Sequence, residues 1–351
     1  MNSRERLPQA IPHEVLRRNP DPLIFIMHPA LDDILFAFPA YSTGSAATPY
    51  GVFRPLVLDA CRVLTNHAAN CQGDFLASDR AGLNRIPIDD SYMDVHCYYF
   101  LGPPNEHEAN RNYPVVKTFS AFTFPPVLPD PWSRVAVPLQ QPRCQYPVLE
   151  CYSSEAEMLD LVRRRDRTCI ITQYPDTAQR AYLIPKTEKA WFDVNHMRKY
   201  VHYGAAGDVE CEDMDQPSNG MLLRADVHQC LDQNGFVFYP DSSPNPGADG
   251  EVFVTYFLGR GWWCMPELFH RRRVAIHPDV PVELLYARFA YAVINTSLTR
   301  DNPLCHAIPE PPMIAVVRER IRKEKEKEEE RQRDEYEDED EDVDYRPSLS
   351  A

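Results

Sequence analysis

The sequence predicts an α+β fold organised around a strand–strand–helix unit, and three observations carry that prediction. The stretch "SNGMLLRADVHQCLDQNGFVFYP", residues 218–240, passes from turn residues through the apolar "MLLR" into a helix-compatible segment starting near Ala225, then leaves through "GFVFYP". Short apolar or β-branched runs, among them "LIFIM", "DVHCYYFLG", "VVKTFSAFTF" and "EVFVTYF", are interspersed with stretches of helical period. The chain has 351 residues, 44% of them apolar, which is enough for two ordinary domains or one large one with an extra layer.

Four regions follow from composition. Residues 1–21 are polar and proline-bearing and read as a loose N-terminal arm. Residues 22–150 form an α+β region without a readable motif, containing the helix-like "FRPLVLDACRVLTNHAAN" and ending in a connection with seven prolines within 125–147. Residues 151–310 open on "SEAEMLDLVRRRDR", where Ser154 and Glu157 fit a capping box for a helix over 155–165. Short strands "TCIIT" and "RAYLIP", a long connection over 186–217, and the strand–strand–helix unit come next. A helix over 279–297 closes this region, with Asp279 as its possible cap and Leu285, Phe289 and Val293 four apart on one face. Residues 311–351 read as a charged helical stalk and a disordered acidic tail, whose tail either solubilises the chain or competes with phosphates for basic residues.

The net charge is -15, and it is not confined to the tail: residues 318–345 hold fifteen acidic and eight basic side chains, yet the body is acidic as well. That disfavours a protein gripping nucleic acid along its whole length and leaves only local basic clusters, "RRRDR" (163–167) and "HRRR" (270–273). "GRGWWCMPELFHRRR" sets Trp262 and Trp263 beside the second cluster, either to stack on bases or to fill core. No apolar run is long enough to span a membrane and the start lacks a secretory signal, so an intracellular, cytoplasmic or nuclear chain with no membrane partner is expected. The ten cysteines include no Cys-x-x-Cys pair, which argues against a disulfide scaffold and against structural zinc.

Within the strand–strand–helix unit, His228 falls in the first turn of the helix and Asp232 one turn later on the same face. Asn219-Gly220 reads as a tight turn, since both residues tolerate positive φ. Taken with Cys169, the "A-x-L-I-P" of 181–185, Trp191-Phe192 and Leu223-Arg224, these residues resemble the HNH endonuclease-like domain of many fungal proteins, in the ββα-metal nuclease superfamily. The resemblance implies a ββα-metal core with flanking helices over roughly 165–240. It further implies that Asn219 holds the connecting loop, that His228 helps hold Mg2+ or Mn2+, and that Asp232 adds a donor or orients the imidazole. Arg224 would contact a phosphate or form a surface ion pair.

One position departs from the family pattern. Where similar sequences place a histidine as general base, this chain has Tyr182, and no acidic residue precedes it. A phenol of ordinary pKa near 10 is protonated at pH 7 and poorly suited to take a proton from water. Three readings stay open: Tyr182 has ended catalysis and left a domain that binds protein or nucleic acid; Tyr182 is a nucleophile; or His196 or His202 supplies a displaced base to an active, divalent-metal-dependent endonuclease. Oligomeric state cannot be read from the sequence.

Overall fold

In β1 (Leu23–His28), Ile24, Ile26 and His28 are buried while the residues between them are half-buried, the period of two that a strand with one covered face requires. This computed structural model describes residues 22–31, 33–42, 50–66, 73–94, 96–102, 113–135, 155–201, 213–241, 253–259, 264–298 and 309–341. The expected N-terminal arm, residues 136–154 with the later part of the proline-rich connection and Ser154, the pair Trp262-Trp263 and the final ten residues lie outside the described residues.

β1 pairs antiparallel with β2 (Asp33–Pro39). β3 (Tyr41–Ser42) and β4 (Tyr50–Phe53) lead into α1 (Arg54–Leu64), which has proline in its first turn, where the missing N–H costs nothing. β5 (Phe75–Ala77), β6 (Tyr92–Met93) and β7 (Cys97–Leu101) complete two sheets, ordered β2-β1-β7-β5 with β7 parallel to β1, and β3-β4-β6. α2 (Trp132–Val135) and α3 (Glu155–Asp166) precede β8 (Ala178–Tyr182). The long connection carries the short helices α4 (Lys189–Val194) and α5 (Arg198–Val201) before β9 (Gly220–Arg224), α6 (Ala225–Asp232) and β10 (Phe236–Pro240). β11 (Phe253–Phe257), α7 (Met265–Phe269) and β12 (Arg273–Val274) follow, with sheet order β10-β11-β12. α8 (Val282–Thr296) and α9 (Pro312–Glu341) end the described chain.

α8 is buried nearly all round, from Val282 through Ala290 and on to Ile294, which makes it the centre of the core rather than a surface helix. Trp132 and Tyr239 pack on it through Tyr286 and Phe289. One apolar cluster runs from Ile24 and Leu56 through Trp132 to Phe289 and Ile314, so the segments before and after the proline-rich connection share a core. At its centre Asp59 accepts from the Tyr239 hydroxyl at 2.7 Å and the Trp132 indole N–H at 3.2 Å. Burial raises its carboxyl to about 6.

Several elements differ from expectation. "VVKTFSAFTF" is not a strand: Val115, Val116, Phe119, Ala121 and Phe122 are all buried around a single 3-10 turn at Phe119–Ala121. Burial on both parities of a short run is equally the mark of an irregular segment sunk into core. "TCIIT" turns rather than extends, bracketed by Arg167 and Gln173 at positive φ, and Gln173 N–H closes back on the Cys169 carbonyl at 2.8 Å. The α8 N-cap is Pro281; Asp279 lies beyond it and faces His277 at 3.5 Å. Asn219 ends a 3-10 turn over Pro217–Asn219 and Gly220, at φ -152°, opens β9 in extended backbone, so the pair is not a tight turn with both residues at positive φ. A side chain there would be crowded: a Cβ would stand 3.2 Å from Arg180 Cγ and 3.4 Å from the Ala181 carbonyl, so Arg180 would have to give way. The stalk is likewise not exposed throughout, because Ile314 and Val317 are buried and Ile321 packs beside them, seating the first turns of α9 on α4.

Candidate functional site

β8 and β9 pair antiparallel from Ala178↔Arg224 to Tyr182↔Gly220, and α6 follows β9 with no intervening residue. Side chains alternate across such a hairpin, so Ala178, Arg180 and Tyr182 leave one face and Gln179 and Ala181 the other. α3 covers the first face, where Val162 packs on Ala178 and Leu222. Its last turn is clamped to the hairpin: Arg165 donates to the carbonyls of Pro217 (2.8 Å) and Gly220 (2.6 Å), and Asp166 pairs with Arg165 while accepting from Leu222 N–H at 2.7 Å. Both side chains are 2% exposed, so this part of "RRRDR" is internal wiring; Arg164 pairs with Asp160 on the surface.

α6 covers the second face. Val227, Cys230 and Leu231 point into the core, which leaves His228 and Asp232 on the outer side of the helix. His228 Nδ1 lies 3.0 Å from Gln179 Oε1, and its Nε2 lies 3.3 Å from Asp232 Oδ2. Next to Gln179 on this face comes Ala181, which is fully buried and packed in the apolar cluster with Met221, Leu223 and Val227.

Tyr182 faces the other way. Its hydroxyl donates to Asp215 Oδ1, a residue the sequence reading did not single out. Arg180 Nη2 reaches the same oxygen at 3.2 Å and Lys186 Nζ reaches Asp215 Oδ2 at 3.0 Å. The Arg180 guanidinium stacks over the Tyr182 ring, 4.1 Å from its centroid, in the space opposite Gly220. Asp215 arrives at the end of the long connection, 33 residues from Tyr182, and no local pattern announces it. Gln179 was also missed; its alternate position with Ala181 on the helix face is the signal that could have found it.

Asn219 is fully buried and spends its whole carboxamide on the connection: Nδ2 donates to the Ile184 and Met214 carbonyls, both at 3.0 Å, and Oδ1 accepts from Ile184 N–H at 2.9 Å. It therefore ties the two ends of the loop to each other. Trp191 and Phe192 are buried in α4, and the Trp191 indole donates to the Phe122 carbonyl at 2.6 Å. Arg224 grips Asp226 with two bonds of 2.7 Å, which holds the Asp226 carboxyl below the usual range. His196 sits at positive φ after α4, in a groove beside α9, and His202 lies outside the described residues.

The donors fall short of a firm seat for Mg2+ or Mn2+. His228 and Asp232 offer two, but Asp232 is 58% exposed and the neighbouring position that would add a third is the methyl of Ala181. Among the described residues, no three His, Cys, Asp or Glu side chains converge as an ion requires.

Residues 169–239 match the family model described as HNH endonuclease, which supports an HNH-type domain in this segment of the chain. Comparison with curated proteins and with solved structures gives no match. Among the described residues, no helix is long and apolar enough to cross a membrane.

Proposed function

We propose that residues 169–239 are a nuclease-derived domain that no longer hydrolyses phosphodiesters and that works by binding a protein or nucleic-acid partner. The observation that carries this reading is the buried methyl of Ala181, standing on the His228 face of the hairpin where a charged donor would have to stand. Tyr182 adds to it. Its hydroxyl is a donor already committed to Asp215, so it offers no lone-pair acceptor of histidine's kind to an attacking water. A missing base alone removes about 10² to 10⁴ of rate, and a cation that is not held in place removes the charge neutralisation the leaving oxygen needs. Other contacts support retention of the unit as a scaffold: Asn219 ties the connection, the Arg165–Asp166 clamp holds α3 to the hairpin, and α6 covers its other face.

The test is nicking of supercoiled plasmid by the purified chain in Mg2+ or Mn2+, beside His228→Ala. The expected result is no metal-dependent nicking by either protein. Nicking by the parent that disappears in His228→Ala would establish the active endonuclease in its place.

A further inference from the structure

Away from the β8–β9–α6 unit, α4, α5 and α9 enclose a groove of about 560 Å³. Its basic lining is Lys189, His196, Arg198, Lys199 and Arg320; the acids are Asp193 and Glu324. A second groove of about 380 Å³ continues it along α9, sharing Arg320 and Glu324 and adding Lys323, Lys327 and the acid Glu319, with Val316, 62% exposed, as its apolar lining. In a chain of net charge -15 these two grooves form a local basic track. Three of the pairs inside it are loose, with Arg320 3.9 Å from both Asp193 and Glu324 and Lys189 3.9 Å from Asp193, while Lys323 stands 3.5 Å from Glu319.

We propose that this track binds the acidic run of α9 from a second copy of the chain, the two α9 helices lying antiparallel. Residues 334–341 hold seven acids and no base, whereas 318–327 hold six bases and three acids. In its own molecule the acidic run cannot reach the track, because α9 is one continuous helix from Pro312 to Glu341. At about 1.5 Å of rise per residue, Asp334 lies about 21 Å beyond Arg320 on the same rod. An antiparallel second copy brings the two blocks together, and two-fold symmetry makes the contact twice. Past Ile321 the helix sequence holds no aliphatic residue and, apart from Gln332 and Tyr336, only charged ones, so the association is electrostatic and screened by salt. A nucleic-acid backbone fits less well, since a polyanion following the track beyond Lys327 runs into the acidic block of the same helix.

The experiment is sedimentation velocity of the full chain over a concentration series. A dimer is expected at low ionic strength, reverting to monomer in about 1 M salt, where the screening length falls to about 3 Å. A chain ending at Arg333 is expected to stay monomeric. The triple variant Lys189→Glu, Lys199→Glu, Lys323→Glu should weaken association about tenfold or more with unchanged circular dichroism. Mixing it with a chain whose acids in 334–341 are replaced by lysine should restore a heterodimer. A monomer at every concentration in low salt overturns the proposal, as does a dimer that survives the truncation. Tighter binding of duplex DNA than of an acidic 334–345 peptide by the truncated chain overturns it too, and marks the track as a phosphate site.

Discussion

Tyr182 and Asp215 are joined by a hydrogen bond from phenol to carboxylate, 33 residues apart in sequence, on the hairpin face opposite the one that Gln179 presents to His228. Two cations, Arg180 and Lys186, close around the same carboxylate. Tyr182, read from the sequence as standing at a general-base position, is thus part of a polar bracket that holds the connection onto β8. Replacing Asp215 by alanine should remove the acceptor of the phenol and one partner of Arg180, and loosen residues 183–186. Hydrogen exchange of the Leu183, Ile184 and Lys186 amides should quicken by about tenfold or more, while α8 amides stay protected.

Asn219 makes three buried hydrogen bonds to backbone groups of Ile184 and Met214. Asn219→Ala strands those groups without water, and each unsatisfied buried group costs about 1–3 kcal/mol. The expected loss is about 3 kcal/mol or more in urea unfolding. An effect under about 0.5 kcal/mol would show that the loop is tied elsewhere.

The arginines of "RRRDR" should separate sharply in mutagenesis. Arg165→Ala removes one partner of a buried, fully hydrogen-bonded pair and should cost about 3–5 kcal/mol. Arg164→Ala, at a side chain 68% exposed, should change stability by less than about 0.5 kcal/mol. Chemical denaturation of the two variants side by side checks both.

Asp59 sets a pH dependence of a definite sign. Burial raises its folded-state carboxyl from 3.8 to about 6, so the folded protein holds that proton more tightly than the unfolded one. Its contribution is complete below about pH 4 and is lost as pH rises through about 6, where an ionised carboxylate must be accommodated in the core. Asp59→Asn cannot ionise. Relative to the parent it should therefore gain stability between pH 4 and pH 7, by about 3 kcal/mol for a shift of about two units. Melting both proteins across that range is the check; parallel curves would contradict it.

How much of this was legible depends on the range of the interaction. The order β8, β9, α6 and the common face of His228 and Asp232 follow from local period, and both are where the pattern puts them. The segment 115–124 was misread because an apolar run bears no mark distinguishing a strand from an irregular stretch buried on all sides. Asn219-Gly220 was misread for another reason: glycine also suits a position that a neighbouring side chain, here Arg180, crowds, and not only one at positive φ. Asp215, Lys186 and the basic track depend on where a long connection and the α9 helix return in space, and no spacing rule reaches that far.

The central claim is that Ala181 and Tyr182 leave the HNH-type unit unable to hold a catalytic cation. Titration of the full chain with Mn2+, followed by electron paramagnetic resonance and repeated on His228→Ala, addresses it most directly. The account predicts superimposable curves, dominated by weak binding to the acidic carboxylates common to both proteins. A saturable site in the parent that vanishes in His228→Ala would contradict it.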